Sequence, residues 1–136
     1  MNKPFIDSNV VLYLLSDDAR KADKAEAVLQ AGGFVSVHVL NEVASVCLRK
    51  LKMTWPEINA LLQAVKASCD VLPLTLASHE KAIEIAKRFQ LSLYDANIAA
   101  CAVISGTDVL LSEDMHAGLV IDGLRIQNPF DVNSLK

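Results

Sequence analysis

"KPFIDSNVVLYLL", residues 3–15, sets a short apolar run against a polar triplet, Asp7-Ser8-Asn9, and then resumes an apolar run. The first run reads as a strand and the second as a helix that opens just past Asp7. A strand feeding straight into a helix is the opening of an α/β fold. The carboxylate at the seam needs a reason, because removing an ionised group from water is costly unless something pairs with it. Capping of the first helix is one such reason, since aspartate is favoured at an N-cap.

The alternation continues along the chain. "DARKADKAEAVLQA" (18–31) reads as a second helix ended by Gly32-Gly33, and "FVSV" (34–37) as a second strand. A helix follows from about His38 to Leu51, then another in "TWPEINALLQAVKAS" (54–68), with Thr54 as N-cap and Pro56 in the first turn. "DVLPL" (70–74) is a third strand, and Pro73 points to a sheet edge. After the helix "LASHEKAIEIAKRF" (76–89) comes "LSLYDANIAACAVISG" (91–106), apolar almost all round and so expected between layers. "TDVLL" (107–111) is a fourth strand, and "LRIQNPF" (124–130) a fifth, after a loop holding Asp114, Gly118 and Gly123. The pattern predicts a parallel sheet covered on both faces, in one domain spanning residues 1–136.

Composition agrees with a packed globule: 136 residues, 52% apolar, 21% charged and a net charge of −3. No basic block is present, so a nucleic-acid partner must be met by a local patch. Cys47, Cys69 and Cys101 form no CxxC pair and lie among apolar neighbours, which predicts buried thiols in a reducing compartment. The N-terminal segment lacks a signal-type pattern and no apolar run approaches a membrane span, so the expectation is a cytoplasmic protein with no membrane partner.

Open parallel sheets bind ligands at the carboxyl ends of their strands. That rule selects four acids: Asp7 after the first strand, Glu42 in the helix after the second, Asp95 opening the buried helix, and Asp114 after the fourth strand. Singly, each has a plain structural explanation. Asp7 can cap, Asp95 follows Ser92 at capping-box spacing, Glu42 can be a solvated helix acid, and Asp114 a turn residue. Jointly, carboxylates gathered at one sheet edge repel and raise each other's pKa unless a cation neutralises them. Hard oxygen donors suit Mg²⁺ or Mn²⁺ rather than zinc, and such a site suits in-line displacement at phosphorus, that is, phosphodiester hydrolysis.

"FIDSNVVLYLL", "LNEVASVCLRKL", "LSLYDANIAACAVISG" and "DVLLSEDMHAG" resemble the four acidic motifs of the PIN-domain ribonucleases. Their order and spacing are most similar to the VapC type, toxins of bacterial toxin–antitoxin pairs. The resemblance runs from Lys3 to about Phe130. It implies that Asp7, Glu42, Asp95 and Asp114 bind the metal, Mg²⁺ or Mn²⁺, with Asp7 and Asp95 the most direct ligands. It implies that Asn9 and Ser112 orient carboxylates or water. It further implies a three-layer αβα sandwich with a five-stranded parallel sheet, endonucleolytic cleavage of RNA, a homodimer, and a small antitoxin protein whose arm blocks the acids.

Substrate cations are sought near the acids. Arg49 and Lys50 close the helix that carries Glu42, and His116 follows Asp114 by two residues; all three are candidate RNA contacts. His38, one helical turn before Glu42, shares its face. Lys21, Lys24, Lys87 and Arg88 read better as a solvated surface. Two enzyme classes are disfavoured. A haloacid-dehalogenase-like phosphatase requires a second aspartate where this chain has Asn9, and no Gly-rich loop follows the first strand as a dinucleotide fold requires. An RNA-processing nuclease, or a PIN-like module that binds RNA or protein without cutting, are the alternatives to a toxin.

Overall fold

Phe5–Ile6 forms the first strand, β1, in the computed structural model, which describes residues 3–131. The two ends of the expected domain span, residues 1–2 and 132–136, lie outside the described residues. Asp7 turns the chain at once into α1 (Ser8–Leu12), which tightens into a 3₁₀ turn over Tyr13–Leu15. Then follow α2 (Ala19–Ala31), β2 (Gly33–Ser36), α3 (Val37–Arg49), α4 (Trp55–Ser68) and β3 (Cys69–Leu72). The second half comprises α5 (Leu76–Phe89), α6 (Leu93–Ser105), β4 (Val109–Leu111), β5 (Val120–Ile121) and β6 (Leu124–Gln127).

The strands form one sheet in the order β3-β2-β1-β4-β6-β5. From β1 the chain first steps outward through β2 to β3, then crosses back to add β4 and β6 on the other side of β1. Right-handed crossovers of opposite direction put their helices on opposite faces. Accordingly α5 packs along α6, and α6 lies on β2, β4 and β6, while α1 packs on α3 and both α2 and α3 on α4. The β1–β4 junction is the point where strand order reverses, where open α/β sheets form their crevice.

The sheet has six strands where five were expected. The expected five are the parallel ones; the addition is β5, two residues long and antiparallel to β6, inside the segment read as a loop. Its turn is Asp122-Gly123, with φ of 50° and 86°, the pair of positive φ values that a two-residue hairpin turn demands. Two residues are too few to show strand alternation, so the Asp-Gly signal was the only trace. The Asp122 carboxylate takes Arg88 at 2.6 Å and Lys81 at 2.7 Å, pinning the hairpin to α5. Those two bonds, Arg88 first, pull its pKa down to about 2.

Other boundaries moved by a residue for a visible reason. Val37, expected at the end of the second strand, starts α3, because buried Ser36 caps that helix by accepting the Val39 N–H at 3.3 Å. Thr54 caps α4, as its sequence suggested, and Glu57 completes a capping box with it. β3 does lie at the sheet edge. The core runs through both faces, and one buried cluster takes in Phe5, Ile6, Val35, Leu110 and Ile126 of the sheet together with Ile98, Ala99 and Ala102 of α6. All three cysteines are buried and unpaired, and burial raises each thiol pKa. Among the described residues no helix is long and apolar enough to cross a membrane.

β1 and β2 approach so closely that Gly33 has no room for a side chain. A Cβ there would lie 2.5 Å from the Pro4 carbonyl oxygen, which accepts the Phe34 N–H at 2.8 Å. Gly33→Ala is therefore expected to lower stability by about 1–3 kcal/mol through forced strand displacement, measurable as a lower urea midpoint.

Candidate active site

Asp7 is the N-cap of α1 and only 4% exposed, wedged between the ends of β1 and β4. Its backbone N–H donates to the Leu111 carbonyl at 3.0 Å, carrying the β1–β4 ladder one step past the strand. One carboxylate oxygen, Oδ1, accepts the Ser8 N–H at 2.7 Å and lies 3.3 Å from the Ser8 hydroxyl. The other, Oδ2, accepts from the Ser112 hydroxyl at 2.8 Å and from Asn9 Nδ2 at 3.2 Å. These donors are all neutral. Among the described residues no Lys, Arg or His pairs with Asp7.

The donors are themselves held. Asn9 Nδ2 reaches Ser112 Oγ at 3.2 Å, and Asn9 Oδ1 accepts the Glu113 N–H at 3.0 Å. Ser112 is fully buried, its N–H donates to the Gln127 carbonyl at 2.9 Å, and its hydroxyl oxygen accepts the Met115 N–H at 3.3 Å. Both residues thus fix the Asp7 carboxylate in orientation. Ser8, to which sequence reasoning gave no role, lies 3.1 Å from Glu42 Oε1 and so bridges Asp7 to Glu42.

Glu42 comes from the second turn of α3, and its position follows from where Ser36 starts that helix. Asp95 comes from the first turn of α6, where Ser92 Oγ accepts its N–H at 3.1 Å. The backbone half of the expected capping box is made, and the Ser92 side chain also engages the Asp95 carboxylate, opposing the rise in its pKa that burial causes. Asp114 is exposed in the loop after β4.

Electrostatics ties the four together. Burial pushes the Asp7 carboxyl from 3.8 up to about 6; the Ser112 and Ser8 bonds oppose the rise, and the charges of Glu42 and Asp95 add to it. Burial also raises Asp95, with the charge of Asp114 adding to it. Each acid therefore feels the next, in a chain Glu42–Asp7–Asp95–Asp114 around the end of β1.

Among the described residues no three His, Cys, Asp or Glu side chains stand ready as a cage around one ion position. Mg²⁺ does not require one, since it commonly binds through one or two carboxylates and keeps several waters. A buried carboxylate supplied only with neutral donors, beside further acids, fits such a hydrated cation.

Two clefts flank the acids. One, of about 450 Å³, is lined by His38, Asn41, Glu42, Ser45, Arg49 and Tyr94 among others. The second, of about 360 Å³, is lined by Asn9, Leu12, Tyr13, Leu51 and Asp114 among others. Arg49 is the predicted cation that lines a cleft; Lys50 and His116 are exposed and line neither. His38 Nε2 is buried 3.5 Å from Glu42 Oε1, within ion-pair range but without hydrogen-bond geometry. Glu113 turns away to Tyr13 and Lys21, so Lys21, read as a surface cation, is a half-exposed and ion-paired one.

The PIN-domain family model matches residues 5–117. Similar solved structures include a toxin–antitoxin complex from Klebsiella pneumoniae (TM-score 0.73, 17% identity, covering 95% of this chain and 99% of that one). The DNA-bound VapBC of Salmonella typhimurium gives 0.70 and 18%, covering 95% and 99%. Mycobacterium tuberculosis VapC20, a sarcin-ricin-loop-cleaving toxin, gives 0.67 and 21%, covering 89% and 98%. No curated protein matches.

In the unfolded chain Asp7 ionises near 3.8, whereas the folded protein holds its proton to about 6. Stability is therefore lost as pH rises between those values, and above 6 the full cost of ~3 kcal/mol remains. Asp7→Asn removes the charge and keeps the shape. Without metal, the variant is expected to melt at or above the wild-type temperature at pH 7, with that advantage gone at pH 4. A variant several degrees less stable at pH 7 would make Asp7 a structural residue.

Proposed function

Since the chain belongs to the PIN-domain family, which its residues 5–117 match, we propose that it is a metal-dependent endoribonuclease and the toxin of a type II toxin–antitoxin pair. The observation that carries the nuclease reading is Asp7: a buried carboxylate with neutral donors only, next to other acids, at the point where strand order reverses. A group so placed lowers stability without a cation and becomes useful with one.

Asp7 and Asp95 hold Mg²⁺ or Mn²⁺, and Glu42 and Asp114 complete the acidic set. When bound, the ion supplies charge neutralisation and Lewis-acid activation of water for in-line attack at phosphorus. The chain's own residues set the geometry of that attack. Ser112 and Asn9 lock the Asp7 carboxylate from one side, and Ser8 ties it to Glu42 from the other. No histidine or cysteine nucleophile is needed, in keeping with three buried thiols. Arg49 offers a phosphate contact in the cleft that Glu42 also lines.

The toxin reading draws on the neighbours, several of which are toxins solved with their antitoxins. A small antitoxin is accordingly the proposed protein partner, and a homodimer the proposed assembly. Retention of all four acids favours a nuclease over a PIN-like module that binds without cutting. An RNA-processing nuclease differs from a toxin only in its cellular effect: a toxin arrests growth on induced expression, and a co-expressed small antitoxin encoded beside it restores growth.

Purified wild type is expected to cut RNA with Mg²⁺ or Mn²⁺ and to stop with EDTA. Asp7→Asn and Asp95→Asn should each lower the rate by a factor of about 10²–10³, and Ser112→Ala by about tenfold. Mg²⁺ should raise the melting temperature of wild type and leave Asp7→Asn unmoved. Metal-dependent cutting that survives both acid substitutions would remove this assignment.

A further inference from the structure

Tyr94 stands immediately before Asp95 in the first turn of α6 and is 70% exposed. An aromatic side chain so open contributes little to the core. Its ring is nevertheless held in place: it stacks on His38 of α3, with centroids 5.8 Å apart and planes 24° from parallel. His38 is in turn set by α3, one turn before Glu42, its Nε2 buried 3.5 Å from Glu42 Oε1. One ring face is backed, and the exposure leaves the rest open.

Tyr94 and His38 form one end of the cleft that Glu42, Asn41, Ser45 and Arg49 continue. At about 450 Å³ it is within the size range of small-ligand pockets. Arg49 lies seven residues beyond Glu42 on the same helix, a rise of about 10 Å. The cleft thus offers, in sequence, a supported aromatic face, a carboxylate of the acidic set and a guanidinium. That is the complement of a base, a reacting backbone and a further phosphate.

Resting on the nuclease reading above, we propose that Tyr94, backed by His38, is the stacking platform for an unpaired RNA base next to the scissile phosphate, with Arg49 engaging the backbone across the same cleft. Every base has a π-face, so the platform tolerates sequence. It requires the base to be splayed out of a helix, which directs cleavage to loops and single strands. Tyr94 is then a substrate-binding residue, separate in role from the acids that hold the ion.

The test uses the full chain and a short oligoribonucleotide that the wild type cuts, with KM and kcat measured for wild type, Tyr94→Phe and Tyr94→Ala. Tyr94→Phe should stay near wild type, and Tyr94→Ala should raise KM about tenfold. Abasic nucleotides introduced singly along the substrate should reveal one position, flanking the cut, whose missing base raises the wild-type KM similarly. At that position the base loss should add nothing further to Tyr94→Ala, because the two changes delete the same contact. Wild-type KM for Tyr94→Ala, the lack of any such position, or fully additive losses would overturn the platform and leave the nuclease standing. If the wild type cuts no RNA with either metal, the nuclease reading falls and this inference falls with it.

Discussion

A single buried carboxylate organises this molecule. Asp7 sits where the strand order of the sheet reverses, between the ends of β1 and β4, and its hydrogen-bond donors among the described residues are all neutral. A lysine or arginine at the position of Ser112 or Asn9 would satisfy the charge and at the same time fill the space proposed for a metal ion. Hydroxyl and amide donors orient the carboxylate and leave its charge uncompensated. That combination costs stability in the isolated chain, and the rise of the Asp7 pKa to about 6 expresses the cost.

The remaining architecture delivers partners to that point. β1 is two residues long because the chain must turn into α1 at Asp7, whose own side chain caps the turn. Ser36 and Ser92 act as start signals, fixing where α3 and α6 begin and hence where Glu42 and Asp95 emerge. The alanines of α6 are buried in the core, and Asp95 at the start of that helix is near enough for its charge to raise the pKa of Asp7. Ser112, fully buried, joins the strand that follows the crossover to the strand that precedes it.

Legibility differed from residue to residue. The apolar runs and their caps exposed the helices well, and Thr54 with Glu57 is a local motif that needs no tertiary help. β5 escaped because two residues show no period, and Val37 was misassigned because a buried serine cap leaves no hydropathic mark. Asp95 could be read locally as half of a capping box; only its three-dimensional setting shows that its carboxylate also feels the charge of Asp114 and acts on Asp7. Ser8 looked like one member of a polar triplet, yet its link to Glu42 spans 34 positions of the chain. Nothing local marks Tyr94, whose exposure and stack on His38 are properties of the folded chain.

The sequence by itself determined what is local: the strand–helix alternation, the helix starts, the absence of a Gly-rich loop after the first strand, and four acids at strand ends or helix starts. Hydropathic period and capping chemistry act over one or two turns, so one chain suffices to read them. Tertiary structure decided what is collective. Which acids feel one another, that Asp7 has no cationic partner among the described residues, that Arg49 lines the cleft beside Tyr94, and that Tyr94 is a backed and open ring all depend on distances between distant segments. Desolvation and Coulomb energies are set by those distances, and no spacing along the chain encodes them.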